Sequence, residues 1–244
     1  MTVHESEHKT PESEFLPLRL WDLFLHPVRL MENVGRQPQW WHAGILLLLI
    51  NGVATTWVGP VMLDEFQSSS SSSRYEFLVS KEQVEASLEK AIVSGDRNKM
   101  GSILSTGLNS WAVTLVFGLM LGFFAKMAGG QGSYPQALGI VHWAALIPYG
   151  VGTLIKLPLI LNTGEYSSIT LSPAAFLASS SSGSFLFVML ANFAEVTIWW
   201  GLLLVVLGFE KVYGLERGPA FLSVVLPWAL VTGVMAGFRL VFGF

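Results

Sequence analysis

The chain has 244 residues, 52% hydrophobic and 13% charged, with 9 Trp, 16 Phe and no Cys. A soluble domain of average make-up carries roughly 25% charge, so a mean hydropathy of +0.53 excludes a disordered chain and an ordinary water-soluble globule. A net charge of −3 argues against a polyanion partner such as nucleic acid, and the lack of Cys excludes disulfides, a thiolate nucleophile and Cys-ligated metal.

In chain order, residues 1–14 are polar and acidic and read as a mobile tail, with no basic stretch leading into an apolar one as a signal peptide would have. Residues 15–39 follow as an amphipathic segment. Phe15–Met31 is apolar but interrupted by Pro17, Arg19, Asp22, Pro27 and Arg29, which is too broken to span a membrane. It reads either as a helix lying among lipid headgroups or as one packed on the inner end of a bundle.

A membrane span needs ~20 mostly apolar residues to cross a hydrocarbon core about 30 Å thick. Five stretches meet this: 40–63, 111–128, 135–161, 185–209 and 219–242. The fold class is therefore all-α, a polytopic membrane helix bundle with five transmembrane helices occupying residues 40–243. Trp40, Trp41, Trp57 and Trp111 fall where interfacial aromatic belts belong.

Between the first two spans, residues 64–110 form an extramembrane loop. It opens with the serine tract Ser68–Ser73, a polar run with nothing to bury. A helix follows, signalled by Ser80 with Gln83 three residues on, by the stripe Val84, Leu88 and Ile92, and by Gly95 ending the pattern. That stripe would either cap the bundle or dock a partner. An odd number of spans puts the termini on opposite sides. Basic residues near the spans balance: Arg29, Arg36, Lys126, Lys211 and Arg217 face Arg74, Arg97, Lys99, Lys156 and Arg239. The long loop is acidic, with 7 acidic residues against 5 basic ones, which favours a cytoplasmic N-terminus.

No phosphate-binding GxxxxGK, no GxGxxG after a strand and no GxSxG is present, and the one HExxH match, His4–His8, falls in the polar tail outside any apolar-periodic helix. Of the five His (4, 8, 26, 42 and 142), only His4 and His8 stand at i, i+4, and they lie in the polar tail with no apolar-periodic helix to present them, so no metal and no cofactor are expected. The chemically loud residue is Glu195, part-way along the fourth span, where an ionised carboxylate must be paired, hydrated or protonated. Asn192 lies one turn earlier, and His142, Tyr149 and Asn51 are further polar residues at similar depth. Lys156 and Arg239 are charged groups that could lean toward it. This intramembrane polar cluster reads as a proton or substrate site, or as a hydrogen-bond clamp that sets bundle register. Two small-residue pairs, Gly118 with Gly122 and Gly233 with Gly237, permit close helix packing within the chain or across a dimer seam. Pro148 lacks a backbone donor and predicts a kink in the third span that frees the Ala144 carbonyl.

Several short stretches together resemble a known family. Phe24-x-x-Pro27 precedes Trp40 and Trp41. Gly132-x-Tyr134-x-Gln136-Ala137-Leu138 opens the third span. Ile198-Trp199 runs into Leu202–Leu204 and Gly208, followed by Val212-Tyr213-Gly214-Leu215 and Pro219-Ala220. Over roughly residues 15–242 this pattern is similar to the Yip1-domain family of integral membrane proteins, in its prokaryotic branch. The resemblance implies a five-helix bundle with a cytosolic N-terminus and no catalytic residues, in a bacterial inner membrane. Eukaryotic members of that family bind Rab-type GTPases, but their DLYGP-type signature is missing here, so that partner is not carried over.

The function expected is thus a non-enzymatic membrane protein that organises membrane or partner proteins through helix contacts. Its partners would be the lipid bilayer and either a second copy or other membrane proteins, with no nucleic acid. The rival reading is a small permease or transporter subunit working through Glu195.

Overall fold

A computed structural model describes residues 16–70, 99–166, 168–177 and 185–242. The expected tail, Ser71–Ser73 and the helix beginning at Ser80 lie outside the described residues. Two short helices come first, α1 (Leu16–Leu25) and α2 (Pro27–Arg36), followed by the long α3 (Trp40–Ser70) and α4 (Lys99–Met127). Next come α5 (Tyr134–Ala145), a wide π-type turn (Leu146–Val151) and α6 (Gly152–Thr163), which together make one interrupted rod. A 3₁₀ turn at Pro173–Phe176 leads to α7 (Phe185–Phe193), α8 (Val196–Tyr213) and α9 (Arg217–Phe242). There is no strand among the described residues.

Five of the described stretches are long and apolar enough to cross a membrane: Trp40–Met62, Leu104–Met127, Tyr134–Thr163, Leu186–Tyr213 and Arg217–Gly237. Their outward surfaces carry Leu49, Val53, Val116, Leu203, Leu230 and Met235, whereas His142, Glu195 and Thr197 are buried. A water-soluble bundle has the reverse arrangement, so lipid is the solvent of these helices. The third span is the central one, with 44% of its most apolar window inside the protein against 22% for the first.

The second span begins at Leu104, earlier than the composition predicts, because Leu104 and Leu108 continue the apolar surface outward. Ser68–Ser70 prolong α3 instead of starting a loop. A helix already nucleated inside a membrane propagates through poor formers at little cost.

Glycines set how closely the helices approach. A Cβ at Gly107 would lie 2.6 Å from the Leu48 carbonyl oxygen, and one at Gly44 would lie 2.5 Å from Trp111 Nε1. Their absence lets α3 and α4 pack closely, with Trp40 stacked on Trp111 at 5.9 Å. Gly118 and Gly122 do the same for α4 on α5, where added Cβ atoms would stand 3.0 Å from Leu138 Cδ2 and 2.8 Å from the Ala137 Cβ.

Helices α1 and α2 close one end of the bundle. Pro27 has no N–H to donate back into α1 and suits the first turn of a new helix, so the chain bends at His26. The turn is fastened by Asp22, whose fully buried carboxylate accepts from Arg29 Nε at 2.8 Å and also from Arg29 Nη2. His26 Nδ1 lies 3.5 Å from the same carboxylate. The buried Arg19 guanidinium sits 5.9 Å from the centre of the Trp143 ring. Leu30, Met31 and Val34 of α2 are fully buried between α5 and α8. The seat is cut by glycines: a Cβ at Gly139 would be 2.6 Å from Val34 Cγ1, and one at Gly35 would be 2.9 Å from Val212 Cγ2. Gln136 completes the joint by accepting from the Ser133 N–H at 2.8 Å and donating to the Gly35 carbonyl at 2.7 Å. The segment expected to lie among headgroups or to pack on the bundle does the second with one face. Its other face, Leu18, Trp21, Leu25 and Val28, stays exposed and apolar.

Candidate functional site

The fourth span is broken. Helix α7 ends at Phe193, Glu195 adopts an extended conformation (φ −72°, ψ 121°), and α8 restarts at Val196. A break inside a membrane strands backbone groups that must find partners within the protein. The Trp199 indole N–H donates to the Phe193 carbonyl at 2.6 Å, and the Val196 N–H donates to the Leu171 carbonyl at 3.1 Å. Leu171 belongs to the segment leading to the 3₁₀ turn, so that connection supports the break. The β-branched run Val196-Thr197-Ile198 favours a restart over a continuous helix through this point.

The third span is interrupted opposite the break. Pro148 lies inside the wide turn, which absorbs its missing donor over Leu146–Val151. Gly201 of α8 faces this turn, and a Cβ there would lie 3.1 Å from Pro148 Cδ. At Gly152 an added Cβ would stand 3.2 Å from Thr197 Oγ1. The two irregular stretches therefore meet.

The polar side chains converge between them. Glu195 Oε1 accepts from Lys156 Nζ at 2.5 Å and from Thr197 Oγ1 at 3.0 Å. The pair is largely enclosed, with the Lys156 side chain 23% exposed and that of Glu195 9%. It forms part of the wall of a cavity of about 350 Å³. Asn51, Thr55, Tyr149 and Thr153 supply most of the remaining polar lining, and Ala54, Val58, Ile160 and Ile198 the apolar part. Met62 and Tyr166 mark its far limit, at the end of the bundle opposite α1 and α2. There the Tyr166 N–H donates to Glu65 Oε2 at 2.9 Å. Chemically the arrangement offers a carboxylate, an ammonium and several hydroxyl and amide groups in a place lipid tails surround.

The structure thus brings together Glu195, Tyr149, Asn51 and Pro148. Asn192 and His142 do not join them. Asn192 Nδ2 donates to the Val188 carbonyl of its own helix at 2.7 Å. His142 is fully buried toward the α1–α2 end, with Nδ1 2.8 Å from the Leu138 oxygen and its ring 5.6 Å from Trp40. The partner of Glu195 is Lys156, named in the sequence only as a charge that could lean in. Thr197 is, with Asn192 and Glu195, one of the polar residues of the fourth span, whereas no motif singles out Thr55 or Thr153. A signal existed: Tyr149, Thr153 and Lys156 fall at i, i+4 and i+7, and Asn51 and Thr55 at i and i+4, which are polar stripes on otherwise apolar helices. Of the glycine pairs, Gly118 and Gly122 lie against α5. Gly233 has only Phe193 Cζ nearby, at 3.8 Å, and Gly237 has nothing within 4 Å among the described residues.

The Yip1 domain model matches residues 21–238. The chain belongs to the Yip1-domain family. No curated protein and no solved structure matches it. The Yip1-domain match begins within α1 at Trp21 and runs through the fifth span, so the second half of α1, all of α2 and the cavity walls lie inside the domain. Several stretches that carried the Yip1 resemblance meet at the capped end. The Tyr213 ring occupies the space a Cβ on Gly132 would need, and its hydroxyl donates to the Ser133 carbonyl at 2.7 Å. The Gln131 N–H returns a bond to the Tyr213 carbonyl at 2.9 Å. Gly214 then ends α8 with φ +67°, a conformation that favours glycine.

Proposed function

We propose that this Yip1-domain protein is a non-enzymatic organiser of the membrane and of partner membrane proteins, acting through helix contacts, with its N-terminus in the cytoplasm. The observation that carries this reading is the two-faced α1–α2 cap. One face is seated in the bundle through Leu30, Met31 and Val34 and the glycine seat, with the Asp22–Arg29 pair fastening α1 to α2. The other presents Leu18, Trp21, Leu25 and Val28 outward, with Trp21 62% exposed. An apolar stripe rooted at the end of a membrane bundle is at home in the headgroup–acyl boundary, where it displaces lipid in one leaflet only.

A Trp21→Cys variant carrying an environment-sensitive probe tests this in vesicles. Quenching by lipid-borne groups at headgroup depth is the expected outcome, together with vesicle remodelling that a Leu18→Ser/Trp21→Ser/Leu25→Ser variant loses. A fully water-exposed probe would overturn the reading.

The Glu195 cavity favours a second reading, a small permease or transporter subunit. Paired helix interruptions facing one polar cavity near mid-membrane are how transporters build substrate sites. The two readings separate on one variant. Under the permease reading Glu195→Gln abolishes a proton- or solute-linked flux into proteoliposomes, and under the organiser reading it leaves vesicle remodelling intact.

A further inference from the structure

The cavity walls state what chemistry would fill them. Both hydrogen bonds to Glu195 land on Oε1. Oε2, and two of the three Nζ hydrogens of Lys156, have no protein partner among the described residues. Neither group is sealed in, because both residues line the open volume. The site therefore shows one unused acceptor and unused cationic donors side by side.

The hydroxyls narrow the choice. Thr55 Oγ1 donates to the Asn51 carbonyl at 2.7 Å, and Thr153 Oγ1 donates to the Tyr149 carbonyl at 2.8 Å. Asn51 Nδ2 likewise donates to the Leu47 carbonyl at 2.9 Å. With both hydroxyl protons and one amide hydrogen committed to their own helices, Thr55, Thr153 and Asn51 Oδ1 offer oxygen lone pairs to a ligand, and Asn51 keeps one further N–H. Such a wall suits an N–H-bearing cation, whereas a quaternary ammonium has no N–H to donate to it.

Charge balance decides the rest. The pair is neutral as it stands. A lone cation taken by Glu195 would strand the Lys156 ammonium in a poorly hydrated site, and a lone anion taken by Lys156 would strand the carboxylate. Unpaired buried charge is the costly outcome. A ligand carrying both charges exchanges one ion pair for two. The volume of about 350 Å³ is at the low end of small-molecule pockets, which run ~300–1,000 Å³. It lies along α3 from Asn51 to Met62, ~17 Å at 1.5 Å per residue, and so ends near the membrane surface.

We propose that the cavity between α3, the α5–α6 interruption and the α7–α8 break binds a small zwitterion with a primary ammonium and a phosphate or carboxylate group, the ammonium on Glu195 Oε2 and the anion on Lys156 Nζ. The inference rests on the cavity reading and requires binding but no transport. Two sources supply this chemistry, a free aqueous zwitterion and the headgroup of a phosphoethanolamine lipid.

The test is calorimetric titration of the full chain in vesicles of phosphatidylglycerol alone, with glycerophosphoethanolamine as the probe. Binding at least tenfold tighter than that of ethanolamine, glycerol 3-phosphate or glycerophosphocholine is the expected result. Thr153→Leu fills the cavity without touching the ion pair, so it should abolish binding while leaving the unfolding temperature within a few degrees. Glu195→Gln should weaken binding at least tenfold. Repeating the titration with phosphatidylethanolamine in the vesicles separates the sources: lost binding means the lipid headgroup already fills the site, and unchanged binding means an aqueous ligand. The proposal fails if the probe does not bind, if a singly charged control binds as well, or if Thr153→Leu binds like the parent. A flux assay on the same proteoliposomes tests transport separately, so binding without flux overturns only the permease reading.

Discussion

Glu195 and Lys156 hold each other's charge across two helices, with the Thr197 hydroxyl as the third member. Deleting one partner leaves the other charged and only partly hydrated. Loss of one member of a fully buried pair costs about 3–5 kcal/mol, and the 23% exposure of the Lys156 side chain lowers the expectation to ~2–3 kcal/mol. Glu195→Gln and Lys156→Met should each destabilise by that much in detergent unfolding. The double variant should recover to within ~1 kcal/mol of the parent, since no charge is left unpaired. Additive losses in the cycle would mean the two groups do not depend on each other. The carboxylate was legible in the sequence because an acid in an apolar run must be explained. Its partner was harder to see, because Lys156 lies 39 residues earlier and near the end of its span reads as an interfacial lysine. Depth along antiparallel rods, not sequence distance, brings the two together.

At the level of elements, interruptions shape the molecule as much as regular helices do. Pro27 splits α1 from α2, Pro148 opens the wide turn, and the Glu195 region breaks the fourth span. Prolines announce the first two. The third has no proline or glycine at the break and depends on partners far away in the chain, such as Leu171, so periodicity reads straight through it. Trp199→Phe removes the indole donor to the Phe193 carbonyl. That should cost ~1–2 kcal/mol, the usual penalty for an orphaned buried acceptor, and should raise hydrogen exchange first at Ala194–Trp199. Unchanged exchange there would mean that the break is held without this bond. The cap obeys the same logic from the packing side. Gly139→Leu would drive a side chain into Val34, whose Cγ1 is only 2.6 Å from an added Cβ. Overpacking of that kind costs about 1–3 kcal/mol. It should fall on the seat of α2, releasing the cap to protease between Leu25 and Gln37 while the five spans stay assembled. If the whole bundle unfolds at once, the cap is an integral part of the core.

For the molecule as a whole, composition and block length carried the architecture: five apolar stretches with turn residues between them leave a helical membrane bundle as the economical solution. Composition cannot assign a side to each end, because the flanking basic residues balance. The structure places Glu32, Gln131 and Glu216 at the capped end, and Asp64 and Glu165 at the other, all five exposed. With no native Cys, single cysteines can be introduced at these positions without background labelling. In intact cells a membrane-impermeant maleimide should reach Asp64→Cys and Glu165→Cys, and should reach Glu32→Cys, Gln131→Cys and Glu216→Cys only after the membrane is opened. Labelling of the second set alone in intact cells reverses the proposed orientation but keeps five crossings. A split within either set, such as Gln131 and Glu216 on opposite faces, removes a crossing and with it the antiparallel register that sets Lys156 beside Glu195. The orientation and the site therefore separate in one experiment, since only the second depends on how many times the chain crosses.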